Sequence, residues 1–177
     1  MEQNGPPEKV IDTSTLQWYA CYTKPRAEKI THQRLLNSGI ECYLPVQKTR
    51  RKWSDRIKWV DEPLFRSYIF VKVIVPDFLK VLQTEGIVRF ITFERKAVPI
   101  PETQIEAIRL LLGKGVELEI TTDRIKAGQA IEVQAGPLMG LRGELVEYRG
   151  NRKVLVRLGE IGQGILVTIG PEYLHRI

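Results

Sequence analysis

Residues 64–75 constrain the fold more than any other part of this 177-residue chain. They are almost all apolar and either β-branched or aromatic, a composition that favours a strand over a helix. A strand that carries such side chains on both faces belongs in the interior of a sheet. We therefore predict a central strand here, around which the N-terminal half of the chain is built.

The rest of the N-terminal half reads as strands and helices that alternate with turn residues. Hydrophobic period and the placement of Pro and Gly predict the order β-α-β-β-β-α-β-α. The elements are expected at residues 16–23, 25–38, 40–47, 56–61, 64–75, 77–85, 87–93 and 101–112. This order predicts an α/β sandwich with a mainly antiparallel sheet and helices packed on it.

The composition changes after residue 113. Residues 114–124 are polar and charged and suggest a linker, whereas residues 125–177 contain nine glycines and short β-branched runs. Such runs with Gly-rich turns are typical of a small β-barrel. The fold class is therefore predicted as α+β, with two domains that follow a disordered tail. The predicted segments are a tail at 1–15, domains at 16–113 and 125–177, and a linker at 114–124.

The sequence lacks the residue patterns of a catalytic or metal site. The two histidines, His32 and His175, fall in different predicted domains, and Cys21 and Cys42 lie in apolar runs as small core residues. We therefore expect no enzyme activity, no metal and no cofactor. The chain also lacks an apolar stretch of the roughly 20 residues that a membrane helix requires. A soluble, cytoplasmic monomer with no membrane contact is expected.

Basic charge is concentrated in one segment. The net charge is +6 and the sequence pI is near 9.4, which favours a polyanionic partner. Residues 48–58 hold six basic side chains against a single acid, Asp55. Trp53 lies within this run, where it can stack on an unpaired base. The alternative is a solvated charged hairpin whose Trp53 packs on its own domain.

Three segments resemble the NusG family of transcription factors. Residues 18–25 (WYACYTKP) resemble the opening of the NusG N-terminal domain, and residues 63–71 (PLFRSYIFV) resemble its central strand. Residues 136–143 (GPLMGLRG) are similar to a KOW motif. Arg66 stands where the family commonly has proline. Residues 53–56 and their basic surroundings look most like the specialised UpxY/RfaH-type antiterminators.

The resemblance implies a transcription elongation or antitermination factor that reduces pausing or termination. Its targets would be specific long operons, such as those for capsular polysaccharides. In the family, aromatic residues of the N-terminal domain bind the clamp helices of the largest RNA polymerase subunit. The matching positions are Tyr22, Phe65, Tyr68 and Phe70. Tyr68 and Phe70 share a strand face, and we expect helices on the other face only, which leaves theirs for a partner. The alternative is that these aromatics fill the core.

The resemblance also implies contact with the non-template DNA strand. In specialised members, basic positions of the first helix face that strand, and the basic segment adds a second surface. Phosphate contacts from such residues supply affinity without sequence choice. The candidate nucleic-acid-binding residues are Lys24, Lys29, His32, Arg34, Arg50, Arg51, Lys52 and Trp53.

In the family, the KOW domain recruits a second protein, such as a ribosomal protein or Rho. Its glycines, Gly128, Gly136, Gly140 and Gly143, are interpreted as turn residues, and the β-branched content predicts a permanent barrel. Two alternatives stay open at this point. One is an RNA-binding, ribosome-associated KOW protein, which the net charge of only +2 over residues 125–177 disfavours. The other is a housekeeping NusG that acts on all genes.

Overall fold

A computed structural model describes residues 14–53 and 55–177, so most of the predicted tail lies outside the described residues. The N-terminal half contains β1 (Gln17–Thr23), α1 (Glu28–Asn37), β2 (Glu41–Tyr43), β3 (Val46–Lys52), β4 (Ile57–Pro63), β5 (Tyr68–Val73), α2 (Phe78–Leu82), β6 (Ile87–Phe90), β7 (Thr92–Phe93), β8 (Lys96–Ala97), β9 (Pro99–Ile100) and α3 (Glu102–Gly113). The C-terminal half contains β10 (Leu118–Thr121), β11 (Gln129–Val133), β12 (Arg142–Tyr148), β13 (Asn151–Leu158), β14 (Gln163–Val167) and β15 (Leu174–Arg176). Within the described chain, none of these helices is long and apolar enough to cross a membrane.

The N-terminal sheet is antiparallel and is built on the predicted central strand. Its order is β2-β5-β1-β6, and the short β9 also pairs with β1. β5 lies between β2 and β1, with Tyr68 opposite Tyr22 and Phe70 opposite Ala20. The prediction of a mainly antiparallel sheet with helices is therefore confirmed.

Helices cover both faces of this sheet. Leu35 of α1 and Val81 of α2 pack with Ile69 and Val71 on one face. The opposite face, which carries Phe70, is covered by the apolar stripe of α3. The expectation that helices cover only one face is therefore wrong. The apolar stripe of α3 predicts the helix itself, but its side of the sheet depends on how the chain turns after β9.

Polar and cation–π contacts hold the first turns of α3 against the sheet. Glu102 accepts a hydrogen bond of 2.9 Å from Trp18 Nε1 and lies 3.0 Å from Lys72 Nζ. Hydrogen bonds from Lys72 and Trp18 lower the pKa of Glu102 below its ordinary value. The Arg109 guanidinium lies 5.5 Å from the Trp18 ring and 5.0 Å from the Tyr43 ring. These contacts join α3 to β1, β2 and β5.

The basic segment forms a hairpin outside the main sheet. β3 and β4 pair from Val46↔Pro63 to Lys52↔Ile57 as a separate two-stranded sheet. The strand predicted at 40–47 is instead divided between β2 and β3 at Pro45, which has no N–H to continue a ladder. The Pro45 carbonyl accepts a 2.8 Å hydrogen bond from Leu64 N and so closes the base of the hairpin.

The C-terminal half is one antiparallel sheet of order β10-β14-β13-β12-β11-β15. The β-branched runs of this half, which predict strands at residues 130–133, 143–147, 153–157 and 165–169, overlap β11, β12, β13 and β14. The predicted linker at 114–124 is corrected in one respect. It contains a strand, β10, which pairs with β14 from Leu118 to Thr121. In the described residues the six strands follow one open order, so barrel closure stays a prediction.

Two of the four glycines predicted at turns have another role. Gly136 and Gly140 adopt positive φ values of 81° and 87°, as a turn requires. Gly143 instead lies inside β12, where a Cβ would come within 2.8 Å of the Leu155 carbonyl oxygen. A Cβ on Gly128 would overlap the carbonyl of Leu145. These two glycines therefore allow close approach of strands, and their interpretation as turn residues is wrong.

The two halves of the chain are in contact. The apolar cluster that contains Ile105 and Ile108 of α3 continues into the C-terminal sheet through Ile131, Val156 and Ile165. A cleft of about 580 Å³ lies between the polar side of α3 and this sheet. The domains are therefore packed together in this structure.

We predict that Gly86→Ala destabilises the N-terminal half by about 3 kcal/mol. Gly86 has a φ of 104°, and an added Cβ would overlap Oγ1 of the fully buried Thr31. Gly39→Ala is the matched control, because its φ is 72° and a Cβ meets open space. The control should lose only about 1 kcal/mol. Urea denaturation followed by Trp fluorescence measures both, and equal losses would contradict the packing argument.

We predict that the Glu144 carboxylate makes the C-terminal sheet sensitive to acid. Arg157 donates to both carboxylate oxygens, at 2.6 and 3.0 Å, and Gly128 N donates a third bond. Hydrogen bonds from Arg157 lower the pKa of Glu144 from its ordinary 4.5. The stabilisation is therefore complete above pH 4.5 and is lost as pH falls through the folded pKa.

Amide hydrogen exchange in β12 and β13 tests this prediction. Glu144→Gln should lower the free energy of opening that protects these amides by about 1 kcal/mol at pH 7. The protection of the variant should also change less than that of wild type as the pH falls. Glu147→Gln is the control, because Glu147 is an exposed carboxylate on the same strand. If Glu144→Gln kept the wild-type acid profile, another carboxylate would be responsible.

Candidate nucleic-acid and protein interface

An aromatic pair lies at the end of the sheet face that α3 covers. Tyr22 and Tyr68 are cross-strand partners, and their rings meet edge to face at 5.4 Å between centroids. Arg89 of β6 pairs with Tyr22 on its other side, and its guanidinium lies 5.8 Å from the Tyr22 ring. Both tyrosines are half-buried. They therefore present an aromatic and cationic strip that crosses three strands, which we call the tyrosine strip.

The other two aromatics predicted to face a partner are core residues. Phe65 and Phe70 are 1% and 0% exposed. Their rings meet edge to face at 6.1 Å, and Phe70 also stacks on Tyr43 at 6.4 Å. Residues this buried cannot contact a partner in this conformation. They support the strands that carry the tyrosine strip.

The basic residues predicted on and before α1 differ in what they contact. Lys24 is exposed and His32 is half-buried. Lys29 Nζ donates a 2.6 Å hydrogen bond to the Asp61 carbonyl and so joins α1 to β4. Arg34 forms a 2.8 Å ion pair with Glu85 and donates to its carbonyl. The structure thus brings α1 next to the basic hairpin, while Glu85 partly neutralises Arg34.

The hairpin has two different faces, because side chains alternate along a strand. The inner face carries Gln47, Thr49 and Arg51 opposite Glu62, Val60 and Lys58, and it is half-buried except at Arg51 and Lys58, which are exposed. The outer face is largely exposed and carries Val46, Lys48, Arg50 and Lys52 opposite Pro63, Asp61, Trp59 and Ile57. The predicted set is therefore divided, with Arg51 on the inner face and Arg50 and Lys52 on the outer face.

Arg51 is held by an acid of its own face. Its Nε and NH2 groups lie 2.9 and 2.6 Å from Glu62 Oε1. The hydrogen bond from Arg51 is the main reason that the pKa of Glu62 lies below its ordinary value. Trp53 lies at the hairpin tip on the same side and borders a hollow with Arg51, Val60 and Glu62.

A cleft of about 550 Å³ separates α1 from the inner face of the hairpin. Four basic side chains line it: Arg26, Lys29, Arg51 and Arg66. Glu28 is nearly buried in its wall and accepts a 2.7 Å hydrogen bond from Ser67 N. Arg26 and Arg66 were missed by the sequence analysis as site residues. The substitution of proline by Arg66 was the available signal.

Trp59 was also missed as a site residue, although it lies on the outer face and is 64% exposed. Its alternation with Ile57 in the sequence places both on one side of a strand, which was the available signal. Among residues 14–53 and 55–177, His, Cys, Asp and Glu side chains form no cluster that could hold a metal ion.

Three comparisons show which known proteins this chain resembles. The sequence model of the family described as "Transcription termination factor nusG" matches residues 16–109. The transcription termination/antitermination protein NusG of Streptococcus pyogenes serotype M1 is 24% identical over 169 residues, which cover 92% of each chain. A solved structure described as domain interaction in Thermotoga maritima NusG superposes with a TM-score of 0.53 at 19% identity. It covers 93% of this chain and 99% of that one. At this identity the superposition supports the fold alone.

We predict that Glu62→Gln strengthens nucleic-acid binding by the hairpin, because it releases Arg51 from its ion pair. A released arginine that contacts one more phosphate steepens the dependence of log K on log salt by about 0.7 to 0.9. Glu132→Gln is the matched control, since it releases Arg142 from an ion pair in the C-terminal sheet. Salt titrations of oligonucleotide binding measure both slopes. Equal slopes for the two variants would show that Arg51 has no special role.

Proposed function

The chain belongs to the NusG family of transcription termination and antitermination factors, and from this premise we propose that it binds RNA polymerase through its N-terminal half. Bound there, it reduces pausing or termination on specific long operons, such as those for capsular polysaccharides. The observation that carries this proposal is the tyrosine strip, formed by Tyr22, Tyr68 and Arg89. Tyr22 and Tyr68 of the strip lie in the two N-terminal segments that resemble the NusG family.

The tyrosine strip has the chemistry of an interface anchor. Tyr and Arg are enriched where interfaces are most strongly stabilised. Tyr buries much area with little loss of rotamer freedom, and Arg supplies a planar set of hydrogen-bond donors. Tyr22 and Tyr68 are half-buried, so their orientation is set before binding. The partner is the pair of clamp helices in the largest polymerase subunit. Phe65 and Phe70 contribute from beneath, by holding the ends of β1 and β5 in position.

Binding acts on polymerase by selecting one of its conformations. A ligand shifts the balance between paused and active states only by its difference in affinity for the two. A difference of about 1.4 kcal/mol changes the ratio of the two states tenfold. A few aromatic contacts that form fully only with the active state are sufficient for an effect of this size.

The cleft between α1 and the inner face of the hairpin is the proposed contact with the non-template DNA strand. Lys29, Arg51 and Arg66 line it, with Lys24 exposed in the loop between β1 and α1. Phosphate contacts from these residues supply affinity and register. His32 and Arg34 on α1 and Trp53 at the hairpin tip are the candidates for contacts with bases. Such contacts are what a factor specific for a few operons needs.

The C-terminal sheet is proposed to recruit a second protein, such as a ribosomal protein or Rho. It is proposed to close into a permanent KOW-type barrel. Met139 lies exposed between Gly136 and Gly140, in the segment that resembles the KOW motif. An exposed Met in a turn supplies an adaptable apolar contact for a partner.

A single-round elongation assay with the cognate polymerase tests the proposed function. Wild-type protein should reduce pausing, and Tyr22→Ala combined with Tyr68→Ala should weaken the effect at least tenfold. Leu79→Ala is the control, because Leu79 is exposed on α2, over the opposite face of the sheet. Circular dichroism establishes that the variants are folded. A wild-type protein that neither binds polymerase nor changes pausing would overturn the proposal.

A further inference from the structure

The outer face of the hairpin combines exposed cations with exposed apolar side chains. Every second residue of β3 from Lys48 to Lys52 is basic: Lys48, Arg50 and Lys52. The Cα atoms of successive members are about 6.8 Å apart along the strand. Across the hairpin, Trp59 lies opposite Arg50, and Ile57 lies opposite Lys52. All of these side chains are exposed. The face therefore carries three cations and a large aromatic ring on one side of the hairpin.

This exposure is not explained by folding. An isolated two-stranded hairpin gains little stability by itself, and the hairpin is separate from the main sheet. A Trp that served the fold would turn toward the inner face, where Val60 is half-buried. Trp59 instead stays 64% exposed on the opposite side. Ile57 is exposed on the same face, and exposed apolar side chains surrounded by charged ones are typical of interaction sites.

A cleft adjoins the base of the outer face. It has a volume of about 920 Å³ and lies between the hairpin and residues 115–118. Trp59 and Lys48 belong to the hairpin wall, together with Asp61 and two residues of the inner face, Gln47 and Thr49. Val116 and Leu118 belong to the opposite wall, together with Glu117. The cleft thus offers a ring for stacking, a cation beside it and two apolar side chains across from it, and the carboxylates of Asp61 and Glu117 leave Lys48 as the group for a phosphate. A nucleobase with its phosphate has the complementary chemistry.

We propose that the outer face binds single-stranded DNA, with an unpaired base stacked on Trp59 and phosphates contacting Lys48, Arg50 and Lys52. The proposal rests on the proposed function, which brings an unpaired DNA strand to the hairpin. It adds a second surface, because the cleft lined by Arg51 and Arg66 lies on the inner side.

The chemistry of the face favours a single DNA strand over other polyanions. Duplex DNA keeps its bases stacked on one another, so it offers no free base to Trp59. RNA is distinguished through its 2′-hydroxyl, which requires a suitably placed partner group. Within the outer face, Asp61 is the one carboxylate, and it lies opposite Lys48. The face therefore suits phosphates and a stacked base, and the strand that the proposed function brings to it is DNA.

Fluorescence anisotropy with a labelled 12-nucleotide oligothymidylate tests this proposal on the full chain. Trp59→Ala should weaken binding roughly 5- to 100-fold, and Trp59→Phe should restore most of the affinity. Phe93→Ala is the control, because it removes another exposed aromatic ring, on β7, and should bind as wild type does. Arg50→Gln should reduce the steepness of the salt dependence by about 0.7.

Four results would overturn the proposal. A loss in Trp53→Ala without a loss in Trp59→Ala would place the base at the hairpin tip on the inner side. Equal affinity for a duplex would exclude stacking. If an oligouridylate bound more tightly than the oligothymidylate, and Trp59→Ala weakened that binding, the ligand would be RNA and not DNA. If wild-type protein did not bind the oligothymidylate at all, the outer face would not be a site for single-stranded DNA. The elongation assay with the Tyr22 and Tyr68 variants judges the proposed function separately from all four.

Discussion

The antiparallel pairing of β1 with β5 is the constraint on which the rest of the N-terminal half depends. It runs from Gln17↔Val73 to Tyr22↔Tyr68. Because side chains alternate along a strand, this one register sends Ile69 toward α1 and α2 and Phe70 toward α3. It also places Tyr22 and Tyr68 side by side at the strand end. A slip of one residue would exchange the two cores and remove the tyrosine strip.

The candidate nucleic-acid surfaces come from an element that contributes little to either core. The hairpin of β3 and β4 leaves the sheet at Pro45 and returns at Leu64, and Lys29 holds it to α1. A projecting hairpin has two accessible sides, so one short basic segment creates a cleft on each. Ion pairing then determines which cations are available. Glu62 holds Arg51, whereas the cations of the outer face line an exposed surface.

Much of the fold could be read from the sequence because local patterns specify local structure. The apolar run at 64–75 predicts the central strand, and the four β-branched runs predict β11 to β14. The errors arise where contacts distant in sequence decide. β10 looked like linker because its alternation of Leu118 and Ile120 is short, and only pairing with β14 makes it a strand. Phe70 looked available to a partner because the sequence does not say which face α3 covers.

The sequence by itself therefore determined the family, which segments form strands and which form helices, and the concentration of basic charge between Lys48 and Lys58. These properties are written in residue type and spacing, which need no partner from elsewhere in the chain. Only the tertiary structure decided that Arg26 and Arg66 share a cleft with Lys29, and that Trp53 and Trp59 lie on opposite sides of one hairpin. The physical reason is that exposure and ion pairing depend on cross-strand register and on packing between distant segments, and neither is encoded at a single position.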